Sequence, residues 1–307
     1  MSPIVSILIV TYNSNAMLPA CLNSLAAGAQ VEHEIILVDN ASQDDTLDLV
    51  RHHYPAVRVI QNQQNRGFSA AVNQASQAAQ GRYFLLLNPD TIVHPGALDR
   101  LVEQLDAQPQ AGLAAPRTLN PDGSLRVNHW PFQRFQIMLL NQLLQGPFRR
   151  FWRFFRRPTV RLHEDHVQPA ESLSGAVLLI HADLYCALGG LDERFFMYFE
   201  DMDFCYRAHQ AGRPALYVPQ AVVTHAGGRS TPASEALYLN KIGKYFLASQ
   251  YRYVQKHSGI WAMLVIRLLH LLTGFIYYGR GRWQRKNKQR QADLDRGRIL
   301  LQMSASF

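Results

Sequence analysis

Short apolar runs alternate with amphipathic stretches through the first ninety residues, and this alternation constrains the fold more than any other feature of the chain. The runs occupy residues 6–10, 34–38, 57–61 and 83–87. Between them, 16–27, 45–53 and 69–80 have helical patterning, and each is long enough to carry the chain back across a sheet. Apolar strands separated by crossover helices predict an α/β fold whose mostly parallel sheet is covered on both faces. Residues 98–108 read as a further helix and 112–115 as a further short strand. No Gly-x-Gly-x-x-Gly follows the first strand, which argues against a dinucleotide-dependent oxidoreductase.

The strands share a pattern at their carboxyl ends. The first runs into Thr11-Tyr12-Asn13, the second into Asp39-Asn40 and the fourth into Asn88-Pro89-Asp90. Ligands bind at the carboxyl ends of strands in open α/β sheets, so the three clusters are expected to border one crevice. A single cluster would be an ordinary turn; three at equivalent positions indicate a site.

A second signal lies at Phe195-Phe196-Met197-Tyr198-Phe199-Glu200-Asp201-Met202-Asp203, where an aromatic run leads into three carboxylates and an apparent helix over 204–211 ends at Gly212. Carboxylates set against apolar rings lose solvation, which raises their pKa and makes them better proton acceptors. Acidic residues also favour the first turn of a helix, and both readings stand at this point. Residues 172–181 predict a strand with Ser174-Gly175-Ala176 inside it, the glycine allowing close approach by a ligand or by other backbone.

Composition bounds the setting. With 307 residues and 48% hydrophobic side chains the chain can bury a large core. Three widely spaced cysteines show no metal or disulfide spacing, and the N-terminal residues show no secretory pattern, so a reduced cytosolic setting is expected. The formal charge of +8 is concentrated. Residues 126–161 hold eight arginines and no Asp or Glu, and 280–298 hold eight Lys or Arg against Asp293 and Asp295. Both stretches adjoin aromatic or apolar residues, which suits an anionic membrane surface; without a nucleic-acid fold signature, no nucleic-acid partner is expected. Residues 132–155 suit an interfacial helix or mobile loop, and two short strands follow the acidic segment at 215–218 and 222–225. The tail is helical over 235–256 and 260–278. The latter is near spanning length, but Arg267 and His270 sit in its middle and favour a helix lying on or partly in the membrane, with Tyr277, Tyr278 and Trp283 at the interface, over the alternative of a true span.

Taken together, Val10-Thr11-Tyr12-Asn13, Val38-Asp39-Asn40-Ala41-Ser42, Asn65-Arg66-Gly67-Phe68, Leu87-Asn88-Pro89-Asp90, Ser174-Gly175-Ala176, Glu200-Asp201-Met202-Asp203 and His225-Ala226-Gly227-Gly228 resemble the inverting glycosyltransferases of the GT-A fold, family 2, in its bacterial rhamnosyltransferase-like branch. The resemblance runs from about residue 5 to 230. It implies a GT-A domain over 1–230, with a basic aromatic insertion at about 126–161; the apolar and basic patterning of 231–307 makes the remainder a C-terminal helical, membrane-associating region.

The resemblance also implies roles. Asp39 matches the base-binding aspartate, whose carboxylate accepts the N3–H of uracil or thymine. Thr11, Tyr12, Asn13, Asn65, Gly67 and Asn88 would line the donor nucleotide, although Tyr12 could equally be a core aromatic and Gly67 a simple helix cap. Asp90 and His225 match ligands for a divalent cation, Mg2+ or Mn2+, with Asn88 departing from the first carboxylate of an Asp-x-Asp motif. Asp201 matches the general base, and Ser174, Gly175 and Glu200 would face the sugar or acceptor. Asp203 reads as a cap or a partner of Arg207. The implied donor is dTDP-L-rhamnose, with a UDP-sugar as the alternative, and the implied acceptor is a lipid-linked or growing polysaccharide at the inner face of a bacterial cytoplasmic membrane. A non-catalytic nucleotide-sugar or glycan-binding protein would keep Asp39 but could lose the base, and both Asp90 and Asp201 are present.

Overall fold

The computed structural model describes residues 3–145, 165–226, 241–283 and 288–305. The first half follows the alternation closely: strands β1 (Val5–Thr11), β2 (His33–Asp39), β3 (Arg58–Gln61) and β4 (Tyr83–Leu87) are separated by helices α1 (Leu18–Gly28), α2 (Thr46–His53) and α3 (Phe68–Ser76). All pairings among these strands are parallel, in the order β3-β2-β1-β4. β5 (Thr91–Val93), helix α4 (Ala97–Ala107) and β6 (Leu113–Leu119) come next, then the short strands β7 (Leu125–Arg126), β8 (His129–Trp130), β9 (Gln168–Ala170) and β10 (Ser172–Leu173). β11 (Val177–His181), helix α6 (Ala182–Ala187), helix α7 (Glu200–Gln210) and β12 (Ala215–His225) complete this part; helix α5 (Phe135–Gln145) precedes β9. The main sheet continues β4-β11-β6-β12-β5, with β11 antiparallel to both neighbours. The strands around β1 and β4 are mostly apolar; on the face covered by α1 and α4, Ile7, Ile9, Leu37, Leu85 and Leu87 are fully buried against residues such as Leu22, Leu98 and Leu101. Each such side chain stabilises the fold by about 1.5–3 kcal/mol.

Three sequence expectations change. The strand expected over 172–181 is interrupted: Ser172–Leu173 pairs with β8 in a separate two-stranded sheet, and only Val177–His181 joins the main sheet. Ser174-Gly175-Ala176 therefore forms the link between two strands, because its N–H groups are spent elsewhere: Ser174 N–H on the Asn128 carbonyl, Gly175 N–H on Asp201 and Ala176 N–H on Ser174 Oγ. The strands expected at 215–218 and 222–225 are one strand, β12, with an irregularity in its register against β6 between Val218 and Val222. The acidic helix begins at Glu200, earlier than expected, so all three carboxylates stand in its first turn, where the helix dipole favours them.

The chain divides into two compact units. The first comprises Met1–Phe132, Val160–Phe196 and Glu200–Gly227 and contains the sheet. The second comprises Gln133–Thr159, Met197–Phe199 and Gly228–Phe307. In its described part, helix α8 (Lys241–Trp283) breaks at Gly259, whose φ of +87° suits glycine, and helix α9 (Lys288–Ala305) lies along its second half. Its core gathers Met138, Leu247, Tyr251, Val254, Ile266 and Leu300. The expectations placed on 146–164, 227–230 and 235–240 fall outside the described residues.

Candidate active site

The ends of β1 and β2 are built as one hydrogen-bonded unit. In the parallel register Thr11 stands beside Asp39, and the Thr11 hydroxyl donates to Asp39 Oδ1 (3.1 Å). Asp39 is also held from its own chain, since the Ser42 hydroxyl donates to Oδ1 and the Ser42 N–H to Oδ2 (3.0 Å). A carboxylate accepts about four hydrogen bonds, so one acceptor position remains on Asp39 Oδ2. Asn13 adopts a left-handed conformation (φ +53°); its N–H donates to Ser42 Oγ (2.9 Å) and its Oδ1 accepts the Gln43 N–H (2.7 Å). Tyr12 is half exposed (50%), so it is no core aromatic. These loops are rigid by mutual bonding, with one aromatic ring left in solvent.

A second layer joins β2 to the start of α3. Asn40, almost fully buried, donates to the Gly67 carbonyl (3.1 Å) and accepts from the Asn62 side chain (2.9 Å). Asn65 Oδ1 accepts the Gly67 N–H (3.0 Å). Gly67 has φ +85°, and a Cβ there would stand 2.6 Å from the Phe196 carbonyl oxygen. Only glycine permits this approach, through which the Phe68 N–H reaches that same carbonyl (2.8 Å) and the Ser69 hydroxyl reaches that of Phe195 (2.8 Å). Gly67 therefore does more than cap a helix. Asn73 likewise has a fixed purpose: it pairs both ways with the backbone of Leu191 (2.8 and 2.9 Å) and accepts from the Tyr185 hydroxyl.

Asp90 and His225 meet where β5 and β12 pair, with His225 opposite Thr91. His225 Nε2 lies 3.1 Å from Asp90 Oδ1, and the Ala226 N–H donates to the Asp90 carbonyl. Burial pushes the Asp90 carboxyl up, but the hydrogen bond and charge of His225, with Arg126, outweigh it and leave the pKa below the ordinary value. Arg126 also donates to the His225 carbonyl (3.4 Å). Asp90 and His225 are side chains of types that Mn2+ accepts; they lie against each other with side chains only 13% and 10% exposed, and among the described residues no third His, Cys, Asp or Glu joins them.

Asp201 stands within contact distance of the Ser174-Gly175-Ala176 link. Its Oδ2 accepts the Gly175 N–H (2.8 Å) and its Oδ1 the Met202 N–H (2.8 Å). A Cβ on Gly175 would come within 3.2 Å of Asp201 Cβ, so the residue must be small. The next residue, Ala176, accepts the Asn88 N–H (2.8 Å), which ties this link to the strand end that carries Asp90. Burial raises the Asp201 pKa, while the Gly175 and Met202 N–H groups hold it back. Glu200 is only 7% exposed, and its Oε2 has no hydrogen-bond partner among the described residues. Burial, then the neighbouring charge of Asp201, push its pKa well above the ordinary value. Asp201, held by two donors, therefore ionises before Glu200. Asp203 belongs elsewhere: fully buried, it receives Arg207 Nε (2.8 Å), and Arg207 also donates to the carbonyls of Leu188 and Gly190. This is structural pairing.

Sequence reading did not single out Ser42, Asn62, Phe196 or Arg126 for these positions. The Ser42 turn is signalled by an Asx pattern starting at Asp39. Asn62 acts through its side-chain amide on Asn40, Phe196 through its carbonyl and Arg126 through charge, and none carries a local signature.

Residues 6–161 match the family model described as Glycosyl transferase family 2. Over 280 residues the chain is 31% identical to N-acetylglucosaminyl-diphospho-decaprenol L-rhamnosyltransferase of Mycobacterium tuberculosis, covering 85% of this chain and 87% of that protein. It is 25% identical to a low-salt glycan biosynthesis hexosyltransferase of Haloferax volcanii, covering 67% of this chain and 61% of that one. Among solved structures, a mannosyltransferase from Pyrobaculum calidifontis in complex with GDP-Man and Mn2+ superposes with a TM-score of 0.58 at 16% identity, over 99% of this chain and 86% of the other. TarS of S. aureus in complex with UDP gives 0.53 at 15% identity, over 98% and 90%. The fold is thus that of GT-A glycosyltransferases.

Proposed function

From the premise that this chain belongs to glycosyl transferase family 2 and is a glycosyltransferase, we propose that it transfers L-rhamnose, with inversion, from dTDP-L-rhamnose to a lipid-linked glycan acceptor at the inner face of a bacterial cytoplasmic membrane. The rhamnosyltransferase relative, aligned over most of both chains, supports the sugar and the lipid-linked acceptor. A uridine diphosphate sugar would meet the same chemistry at Asp39, since uracil and thymine both offer an N3–H.

In this reading the remaining acceptor position of Asp39 takes the N3–H of the base, Tyr12 offers a face for it to stack on, and Asn13, Asn65, Gly67 and Asn88 border the nucleotide. Asp90 and His225 would hold a divalent cation, which when bound supplies positive charge to the diphosphate. Ser174, Gly175 and Glu200 border the sugar or acceptor. Asp201 takes the proton of an acceptor hydroxyl as that oxygen bonds to the anomeric carbon; the anomeric carbon–phosphate oxygen bond breaks, and the nucleoside diphosphate departs on the opposite face. One carboxylate suffices for this single displacement, whereas hydrolysis of a glycosidic bond uses a flanking pair.

The observation that carries the reading is the placement of Asp201: buried enough to raise its basicity, held by two N–H donors, and joined through Gly175 and Ala176 to the strand end bearing Asp90. Asp201→Asn is expected to lower kcat by about 10²–10⁴ while donor affinity stays within twofold. The measurement is single-turnover transfer beside calorimetric titration of dTDP. Near-normal turnover removes Asp201 from the chemistry.

A further inference from the structure

The second compact unit has a surface that this chemistry does not use. Beyond the break at Gly259, every exposed residue of α8 between 260 and 276 is apolar, Trp261, Leu264, Leu268, Leu272 and Phe275 among them. Their spacing of three and four places them on one face. Trp261 is 78% exposed at one end, and Trp283, beyond the stripe at the other, is 93% exposed. On the opposite face Ala262, Met263 and Ile266 enter the core.

The two polar residues in the middle of this helix turn inward. His270 Nδ1 lies 2.8 Å from the Tyr251 hydroxyl, and Arg267 donates to the Ser304 carbonyl (2.6 Å). Burial lowers the His270 pKa to about 4, so its ring is neutral at pH 7. Helix α9 lies directly on this inner face. A Cβ on Gly297 would stand 2.7 Å from the Tyr278 nitrogen, and one on Gly281 would stand 2.7 Å from Leu294 Cγ. The helices are thus antiparallel, with 267 beside 304 at one end and 281 beside 294 at the other, and their backbones come into close contact at Gly297.

We propose that this stripe inserts into one leaflet of an anionic bilayer, with residues 260–283 lying along the interface and not crossing it. This rests on the reading that the enzyme works on a membrane-borne acceptor, and it adds how the chain meets the lipid. Length alone would permit a span, since 24 helical residues reach about 36 Å across a hydrocarbon core of about 30 Å. The partner helix forbids it. A spanning α8 would draw α9 into the hydrocarbon with Arg290, Asp293, Asp295, Arg296 and Arg298, each charged group costing about 2.5–3.5 kcal/mol or more at the centre. Lying flat, the pair keeps those charges in water and buries only the apolar stripe. The eight Lys or Arg residues over 280–298, against two aspartates, supply the complementarity to anionic headgroups.

The test uses the full chain with vesicles of phosphatidylcholine and phosphatidylglycerol. A nitroxide is placed at 272 through Leu272→Cys in a Cys186→Ser background, since Cys186 is exposed and Cys21 and Cys205 are buried. The label is expected about 5–10 Å below the phosphates. A label near the midplane overturns the proposal. Leu268→Glu with Phe275→Glu is expected to lower the floated fraction at least tenfold while rhamnose transfer to a water-soluble acceptor persists. Flotation equal to wild type, or a lipid-free dimer that immobilises the label and leaves the protein unable to float, also overturns it. A shallow label and stripe-dependent flotation support the proposal even if no rhamnose is transferred, so the two readings fail separately.

Discussion

Two adjacent carboxylates at the start of α7 face opposite fates, and the difference is local. Asp201 has two N–H donors and Glu200 Oε2 has none, so the shared burial penalty falls mainly on Glu200. A group whose folded pKa is raised stabilises the fold below its ordinary value and loses that contribution as pH rises through the folded value. Glu200→Gln is therefore expected to raise Tm at pH 7, with the gain shrinking as pH falls through the raised folded value and absent below about 4.5, the ordinary Glu pKa. Thermal melts across pH test this; a gain that persists at acid pH would rule out ionisation as the cause. The acidic limb of kcat/KM should likewise lie above the ordinary Asp pKa of 3.8, because Asp201 must be ionised to accept a proton and burial raises its pKa. A pH–rate profile reads that midpoint. At the nucleotide end, Asp39→Asn is expected to weaken dTDP binding by about 1.5–3 kcal/mol, roughly ten- to a hundredfold, because a charged acceptor is lost. Titration calorimetry gives the change, and unchanged affinity would move the base pocket elsewhere.

At the scale of elements, the start of α3 and the aromatic run before α7 depend on one glycine. Gly67→Ala would meet both a positive φ and a carbonyl oxygen at 2.6 Å, so Phe196 must move and the Phe68 and Ser69 bonds to that run are lost. A loss of roughly 2–5 kcal/mol is expected from strain plus the broken bonds, measurable by chemical denaturation; a neutral result would show that the contact relaxes freely. This junction lay partly open in the sequence, where Asn65-Arg66-Gly67 is a recognisable punctuation before a helix. What it touches was not, because Phe196 is 129 residues further along. The same holds for 172–181: apolar patterning favours one strand, yet a carboxylate 26 residues beyond Gly175 takes the glycine's N–H and breaks it.

For the whole molecule, donor choice can be read from stability. Ligand at a hundredfold excess over its Kd stabilises the folded state by about 2.7 kcal/mol. A thermal-shift panel with Mn2+ is expected to rank dTDP-rhamnose first, thymidine and uridine diphosphates next, and to leave dinucleotides without effect. A shift by a dinucleotide alone would contradict the proposed function. The periodicity of apolar runs was enough to specify the parallel half of the sheet, β3-β2-β1-β4, and its strand ends, because burial on both faces imposes a local pattern there; the antiparallel pairings of β11 and of β12 with β5 had no such local signal. Which polar groups share a site, and whether Arg267 and His270 are charges in lipid or partners of Tyr251 and Ser304, depended on contacts between distant segments. A hydrogen bond or a close helix approach is fixed by position in space, and no local stretch of sequence encodes the other half of the pair.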